Sequence, residues 1–392
     1  MFMIRKIFLK SFHLLKMMIP RKIKIIIKSI RPQSLPSTPI PPPPYVIKLP
    51  LDPGINAPIV IHVIANFFNG GSSRLVVDLI EGLGSQYNQQ IFTSKLPASP
   101  AFLGVDPIEM SGIPSVNDVL ERFSKISPKA LHLHYWGECD YSWYEVFMMA
   151  AQILNIPVIE NINTPVEPMR CPIVKKYVYV SNYVRNNFGS GEGEVIYPGS
   201  DLSIFKDSPE EAATRNSVGM VYRLEEDKLG LPGILPFIYL AKIRPKIHIY
   251  IVGGGSLLSE YRNIVRKEKL NKSFTFTDYV PYESLPSWYR RFGIFVAPVR
   301  KESFGQVSAF AMGMGIPVVG YDVGGIPEII NDQSLVSSAG EPQKLAKLIS
   351  SFLDDKRKRI SCGILQQERA RSLFSIEAMI NSYKSIYDQV IK

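Results

Sequence analysis

Arg300-Lys301-Glu302-Ser303-Phe304-Gly305-Gln306 leads through an apolar segment into Met312-Gly313-Met314-Gly315-Ile316-Pro317-Val318-Val319-Gly320. The stretch follows a strand-like apolar run over residues 293–299 and places a carboxylate where that strand would end. It then turns at Phe304-Gly305, continues as a helix-like segment and closes with a second buried strand. A strand–loop–helix unit of this kind aims backbone N–H groups, and the positive end of a helix dipole, at whatever lies above it. Phosphate suits those donors, and a lone carboxylate beside it suits sugar hydroxyls. A nucleotide-sugar site is the expectation.

Around this unit the chain alternates between short apolar runs and helical stretches. Strands are predicted at residues 217–222, 247–252, 274–276, 294–297 and 317–320, separated by helices at 257–267, 282–289 and 307–314. An earlier series, ahead of the polar stretch 207–216, has strands at 59–65, 130–135, 158–161, 178–181 and 195–197, with helices at 75–83 and 144–154. Such alternation predicts parallel, doubly wound sheets. The fold class is therefore α/β, with two Rossmann-like domains, residues 59–205 and 206–375, facing across a cleft. Ligands of such sheets sit at the carboxyl ends of the strands.

The 392 residues, 46% hydrophobic and 11% aromatic, suffice for two packed domains and an extension, which excludes disorder throughout. Cys139, Cys171 and Cys362 are odd in number and widely spaced, so neither a disulfide framework nor a cysteine metal site is expected, in keeping with a reducing compartment. The net charge of +10 is concentrated in residues 1–31, which hold nine basic residues and no acidic one. Removing those nine from the 45 basic residues leaves 36 against 35 acidic, so the body gives no support for nucleic-acid binding.

Helical spacing in this tail puts Ile23, Ile26, Ile27 and Ile30 on one face, with Lys24, Lys28 and Arg31 on the other. A basic amphipathic segment of this kind is expected to lie on an anionic membrane surface, making the protein cytoplasmic and peripheral at the inner face. No run reaches the roughly 18 uncharged apolar residues needed to span a bilayer. Lysines interrupt the apolar stretch and no small-residue cleavage site follows, which argues against a secretory signal. An organellar transit peptide and an over-extended start are the alternatives. Residues 32–58, with Pro41-Pro42-Pro43-Pro44, read as an extended linker.

Other strand-end motifs add to this frame. Gly70-Gly71 follows the first strand and lets backbone approach a phosphate or an acceptor, although a plain turn accounts for it as well. Arg223 and Lys228 follow the first strand of the second half and could grip a diphosphate, unless Glu225, Glu226 and Asp227 neutralise them. Gly253-Gly254-Gly255 lacks both the Lys-Ser/Thr of a P-loop and a dinucleotide fingerprint, so a tight turn is the simpler role. His132 and His134 flank Leu133 on one face of a strand. Sequence spacing offers them no third metal ligand, which leaves a hydrogen-bonding role in the cleft or a structural one.

These pieces, in this order, resemble the retaining glycosyltransferases of family 4, which have the two-domain GT-B fold. The resemblance runs from about residue 59 to the C-terminus and is densest over residues 274–330. The stretch Val296-Ala297-Pro298-Val299-Arg300-Lys301-Glu302-Ser303-Phe304-Gly305 looks like the family's donor-site signature. Arg223 and Lys228 look like its diphosphate-holding pair, and Tyr197-Pro198-Gly199-Ser200-Asp201 with Phe205 like its interdomain stretch. Residues 376–392 resemble the helix that crosses back to the N-terminal domain. The resemblance implies that Glu302 holds the transferred sugar. Ser303, Phe304, Gly305 and Gln306, with Gly70, Gly71 and Gly253, would border the donor, and His134 and Asn163 the acceptor or sugar side.

Three positions depart from the family's pattern. Phe310 stands where a second carboxylate normally holds the ribose, Asn163 where a histidine faces the reaction centre, and Tyr222 where a glycine commonly precedes the phosphate arginine. The resemblance as a whole implies a retaining, metal-independent transferase. It would move a sugar from a nucleotide-sugar, a substrate and not a cofactor, to a saccharide or lipid-linked acceptor in cell-envelope polysaccharide or glycolipid synthesis. A catalytically silent saccharide-binding scaffold and an epimerase on the same fold are the alternatives.

Overall fold

The computed structural model describes residues 44–47 and 53–391. The basic segment 1–31 lies outside the described residues, as does most of the proline-rich stretch. Among the described residues no helix is long and apolar enough to cross a membrane.

Within the proline-rich stretch, β1 (Tyr45–Val46) is packed on the body and is not a free spacer. It pairs in parallel with β4 (Phe102–Leu103), and Ile47 is buried behind it. Tyr45-Val46-Ile47 is a proline-free, aromatic and β-branched triplet, so it can both donate to a strand edge and fill an apolar groove.

The N-terminal sheet begins with β2 (Ile59–Asn66), whose apolar run is buried on both faces. It is joined by β3 (Asn88–Lys95), β5 (Ile108–Glu109), β6 (Ala130–Tyr135), β7 (Val158–Ile162), β8 (Val174–Tyr179) and β9 (Glu194–Val195). All pairs are parallel, in the order β5-β3-β2-β6-β7-β8-β9. The C-terminal sheet has β10 (Ser217–Val221), β11 (His248–Val252), β12 (Phe274–Phe276), β13 (Ile294–Ala297), β14 (Val318–Tyr321) and β15 (Val336–Ser337). Its order is β12-β11-β10-β13-β14-β15, again all parallel. Both sheets reverse direction beside their first strand, and the crevice at such a reversal is where α/β folds hold ligands. Helices cover both faces, so β6, β7, β10 and β13 are buried along their whole length.

Four helices position the cleft. α1 (Gly71–Leu83) starts directly after the loop from β2, and α2 (Asn182–Phe188) follows β8. α3 (Gln306–Gly313) follows the Glu302 loop. α4 (Ile376–Val390) returns to the N-terminal sheet, burying Met379, Tyr383, Ile386 and Tyr387. Tyr87 Oη donates to Asp388 at 2.6 Å, Tyr383 Oη donates to Asn161, and Tyr387 Oη lies 2.8 Å from His132 Nδ1. Across the domains, the Glu328 carboxylate accepts from the Asn182 and Tyr183 backbone N–H groups at 2.8 and 2.9 Å and from Tyr197 Oη at 2.7 Å.

Gly219 in β10 lies against the fully buried Phe292 ring, where an added Cβ has no room. Gly219→Ala is expected to destabilise the protein by about 1–3 kcal/mol in urea titration, because that ring is locked on all sides.

The Glu160 carboxyl is fully buried in β7. It accepts a bond from Met169 N at 2.7 Å, while its Oε2 has no partner. Burial pushes it up to about 8, against the pull of Met169 N–H and Arg170. The folded chain thus keeps a proton that the unfolded chain loses near 4.5, so this group's contribution to stability is full below that value and falls as pH rises to about 8. Glu160→Gln, neutral at every pH, should flatten that decline, which reaches at most about 1.4 kcal/mol per pH unit, and should exceed the parent in thermal stability at pH 8.

Candidate active site

A cavity of about 530 Å³ opens between the two sheets at their carboxyl ends. From the N-terminal domain it is bordered by Asn69, Gly70, Gly71 and Arg74, the loop and first turn of α1, and by Tyr45 and Phe102. From the C-terminal domain it is bordered by Tyr222, Arg223 and Lys228 after β10, Tyr279 to Leu285 after β12, and Glu302, Gln306, Val307 and Phe310.

Glu302 emerges from the end of β13 and is 8% exposed, with Lys228 Nζ 2.7 Å from its Oε1. One ammonium proton meets the carboxylate, leaving two for a further acceptor. The loop is held from behind: Gly325 N–H donates to the Glu302 carbonyl at 3.0 Å. Gly324, at φ +59°, passes so close to that carbonyl that no side chain fits. Gly305, at φ +111°, turns the chain into α3, whose start has no side-chain cap. Ser308 N–H makes the first backbone bond of the helix, to the Gly305 carbonyl at 2.8 Å, and the Gln306 and Val307 N–H groups ahead of it give the cavity a positive wall. Gln306 Nε2 donates across the domains to the Gly199 carbonyl at 2.9 Å. Arg223 is more than half exposed and only loosely paired, 3.7 Å from Asp227.

Of the positions picked from the sequence, Gly70, Gly71, Arg223, Lys228, Glu302 and Gln306 meet at this cavity. The others border different surroundings. The Ser303 carbonyl accepts from Ser181 Oγ at 2.6 Å, and Phe304 is buried between Tyr197 and Phe374, so both belong to the interdomain packing. Gly305 lies beneath the loop, against Ile326 and Ile329. Gly253, at φ +126°, presses on the Tyr222 backbone and donates to Thr277 Oγ1 at 3.0 Å, which makes it a tight turn. Asn163 accepts from Asn161 Nδ2 at 2.5 Å, outside the cavity lining.

His134 is fully buried on the sheet face covered by α4, not in the cleft. Strand alternation sets its side, and that side belongs to the helix. The third ligand missing from the sequence spacing is present in space: His62, His132 and His134 each offer a ring nitrogen, all within 4.8 Å of one another.

Sequence reasoning missed Tyr45, Arg74 and Tyr282. The Arg74 guanidinium lies 4.0 Å from the Tyr45 ring centre and 4.7 Å from that of Tyr282, and its Nε is 2.6 Å from Asp78 Oδ1. Burial raises the Asp78 carboxyl, and the adjacent guanidinium opposes that rise. Arg74 could have been found, since one helical turn after Gly71 places it on the same face. Phe310, one turn after Gln306, stacks on Phe205 with ring centres 4.3 Å apart and meets the Tyr282 ring edge-on at 5.8 Å.

Residues 203–368 match the profile of the family described as glycosyl transferases group 1. Over 214 residues the chain is 29% identical to a D-inositol 3-phosphate glycosyltransferase of Corynebacterium efficiens, covering 50% of each protein. Over 138 residues it is 28% identical to the lipopolysaccharide core biosynthesis mannosyltransferase LpsB of Rhizobium meliloti, covering 34% of this chain and 39% of that protein. The chain thus spans half or less of the length of these curated relatives. In structure it is similar to Anabaena HepE, solved in complex with UDP and glucose, with a TM-score of 0.67 at 16% identity over 84% of this chain and 99% of that one. The two parallel sheets facing across a cleft give the chain a GT-B fold, and its residues 203–368 are similar to the glycosyl transferases of group 1.

Proposed function

We propose that the protein transfers a sugar from a nucleoside diphosphate donor to a saccharide or lipid-linked acceptor, with retention of configuration. The observation that carries this reading is the convergence of Glu302, Lys228, Arg223 and the start of α3 on one cavity, opposite Gly70-Gly71. Lys228, Arg223 and the N–H groups of α3 would offset the charge that grows on the leaving diphosphate, and charge stabilisation in a fixed site is the strongest catalytic effect available to such a reaction. Glu302 would hold sugar hydroxyls. With the leaving group stabilised in this way no covalent carboxylate is required, and the acceptor can enter on the face the diphosphate leaves. The same two cations supply the charge that a metal ion would otherwise provide, so the proposed reaction is metal-independent.

Two of the relatives bear names that refer to inositol 3-phosphate and to lipopolysaccharide core biosynthesis, and HepE was solved with UDP. Those names support a nucleoside diphosphate donor such as a UDP-sugar and an envelope or glycolipid acceptor here. The basic segment 1–31 would keep the enzyme at the inner membrane surface, near such acceptors.

A silent saccharide-binding scaffold is the second reading, favoured by the Phe310 ring at the cavity where the related pattern has a carboxylate. The two separate on nucleotide chemistry. Release of free nucleoside diphosphate from a panel of sugar nucleotides, with membrane extract as acceptor, is expected for the transferase and absent for the scaffold. Glu302→Gln should lower kcat about 100-fold or more while leaving diphosphate affinity within about threefold. Arg223→Ala should weaken diphosphate binding by about 10- to 100-fold in calorimetry, the worth of a charge-assisted hydrogen bond. Parent-like turnover by both variants would remove the site from consideration.

A further inference from the structure

The face of the N-terminal sheet beneath α4 carries a polar cluster that the cleft chemistry does not use. β2 and β6 are neighbours with His62 directly opposite His132, and His134 comes two residues later, on the same face. All three imidazoles are fully buried. Their ring centres stand 5.3, 5.3 and 4.2 Å apart.

Hydrogen-bond accounting leaves this cluster incomplete. Gln89 Nε2 donates to the Leu79 carbonyl at 3.2 Å, so Gln89 Oε1 is the acceptor for His62 Nε2–H at 2.9 Å. That fixes the His62 tautomer and makes its Nδ1 the acceptor of a hydrogen bond from His134 Nε2–H at 3.0 Å, a bond that metal binding would replace. His132 Nδ1 is occupied by Tyr387 Oη at 2.8 Å. Two ring nitrogens, His132 Nε2 and His134 Nδ1, are buried with no partner. An orphaned buried polar atom typically costs about 1–3 kcal/mol, and native proteins keep few of them without a reason.

We propose that His62, His132 and His134 form a buried zinc site that fastens α4 to the N-terminal sheet. His62 Nδ1, His132 Nε2 and one ring nitrogen of His134 are the ligands, and a water completes the tetrahedron. Ligand atoms in a tetrahedral zinc site with bonds of about 2.0–2.1 Å lie about 3.3 Å from one another, close to the spacing already present between His62 and His134. The outer nitrogens of His62 and His132 are held by Gln89 and Tyr387, as zinc-bound imidazoles usually are by a second partner. Burial favours the neutral, ligating form: His62 is pushed down to about 4, and His132 and His134 fall well below the ordinary imidazole range. Because Tyr387 holds His132 and the Tyr383 ring lies 5.4 Å from it, the ion would tie the last helix to the two central strands.

The test does not depend on transferase activity. The untagged full chain, produced in zinc-supplemented medium and passed through gel filtration, is assayed for metal by mass spectrometry. About one equivalent of zinc is expected, and cobalt-loaded protein should show the visible bands of a tetrahedral ion. His132→Gln and His62→Gln should each lower the metal content about tenfold or more while far-UV circular dichroism stays that of the parent. To guard against misfolding of either variant, the unaltered chain is also refolded with chelator or with zinc chloride. The zinc-refolded protein should melt several degrees higher, as expected for a ligand bound only by the folded state. A parent chain that stays metal-free after refolding in zinc, an unchanged melting temperature, or full metal content in a folded His132→Gln protein would each overturn the proposal.

Discussion

The Glu328 carboxylate is the fixed point between the two domains. It belongs to the C-terminal domain, yet it satisfies the exposed backbone N–H groups at the start of α2 and the Tyr197 hydroxyl in the N-terminal half. Negative charge at a helix N-terminus is favoured by both the free N–H donors and the helix dipole. The same seam carries Ser181 on the Ser303 carbonyl and Gln306 on the Gly199 carbonyl. The loop that presents Glu302 is therefore referenced to the N-terminal domain, largely through side chains outside the cavity lining, with Gln306 as the member that borders it.

That seam explains why only part of the signature around Glu302 reaches the cavity. Glu302 and Gln306 face inward, while Ser303 and Phe304 between them serve the domain contact. A loop that must both present a carboxylate and anchor a neighbouring domain divides its residues between the two tasks. Sequence carries no mark of that division.

The central strands, the two-domain division and the convergence of Arg223, Lys228 and Glu302 were legible because each rests on a local pattern: an apolar run, a turn and a charge at a strand end. β3 was not, since it opens with Asn88-Gln89-Gln90 and is only partly buried there. β1 was hidden by its proline-rich context, and Tyr282 by lying in a segment read simply as helix. His62 escaped because it joins His132 and His134 only through strand pairing, from a distant part of the chain. Contacts made by register or by domain closure leave no periodic trace. Phe310 and Asn163 show the reverse: both were noticed as departures, and the structure gives each an ordinary occupation, one stacked on Phe205 and the other bonded to Asn161.

The stack of Tyr45, Arg74 and Tyr282 joins three separate parts of the chain at the rim of the cleft. Its first member, Tyr45, comes directly after the polyproline run in sequence and itself borders the cavity. A cation held between aromatic faces is easily loosened by a modest sideways displacement, because its attraction falls off once the charge slides from over the ring. A small shift of Tyr45 would thus be felt at Tyr282 in the opposite domain, which couples the rim of the entrance to the seating of one domain against the other.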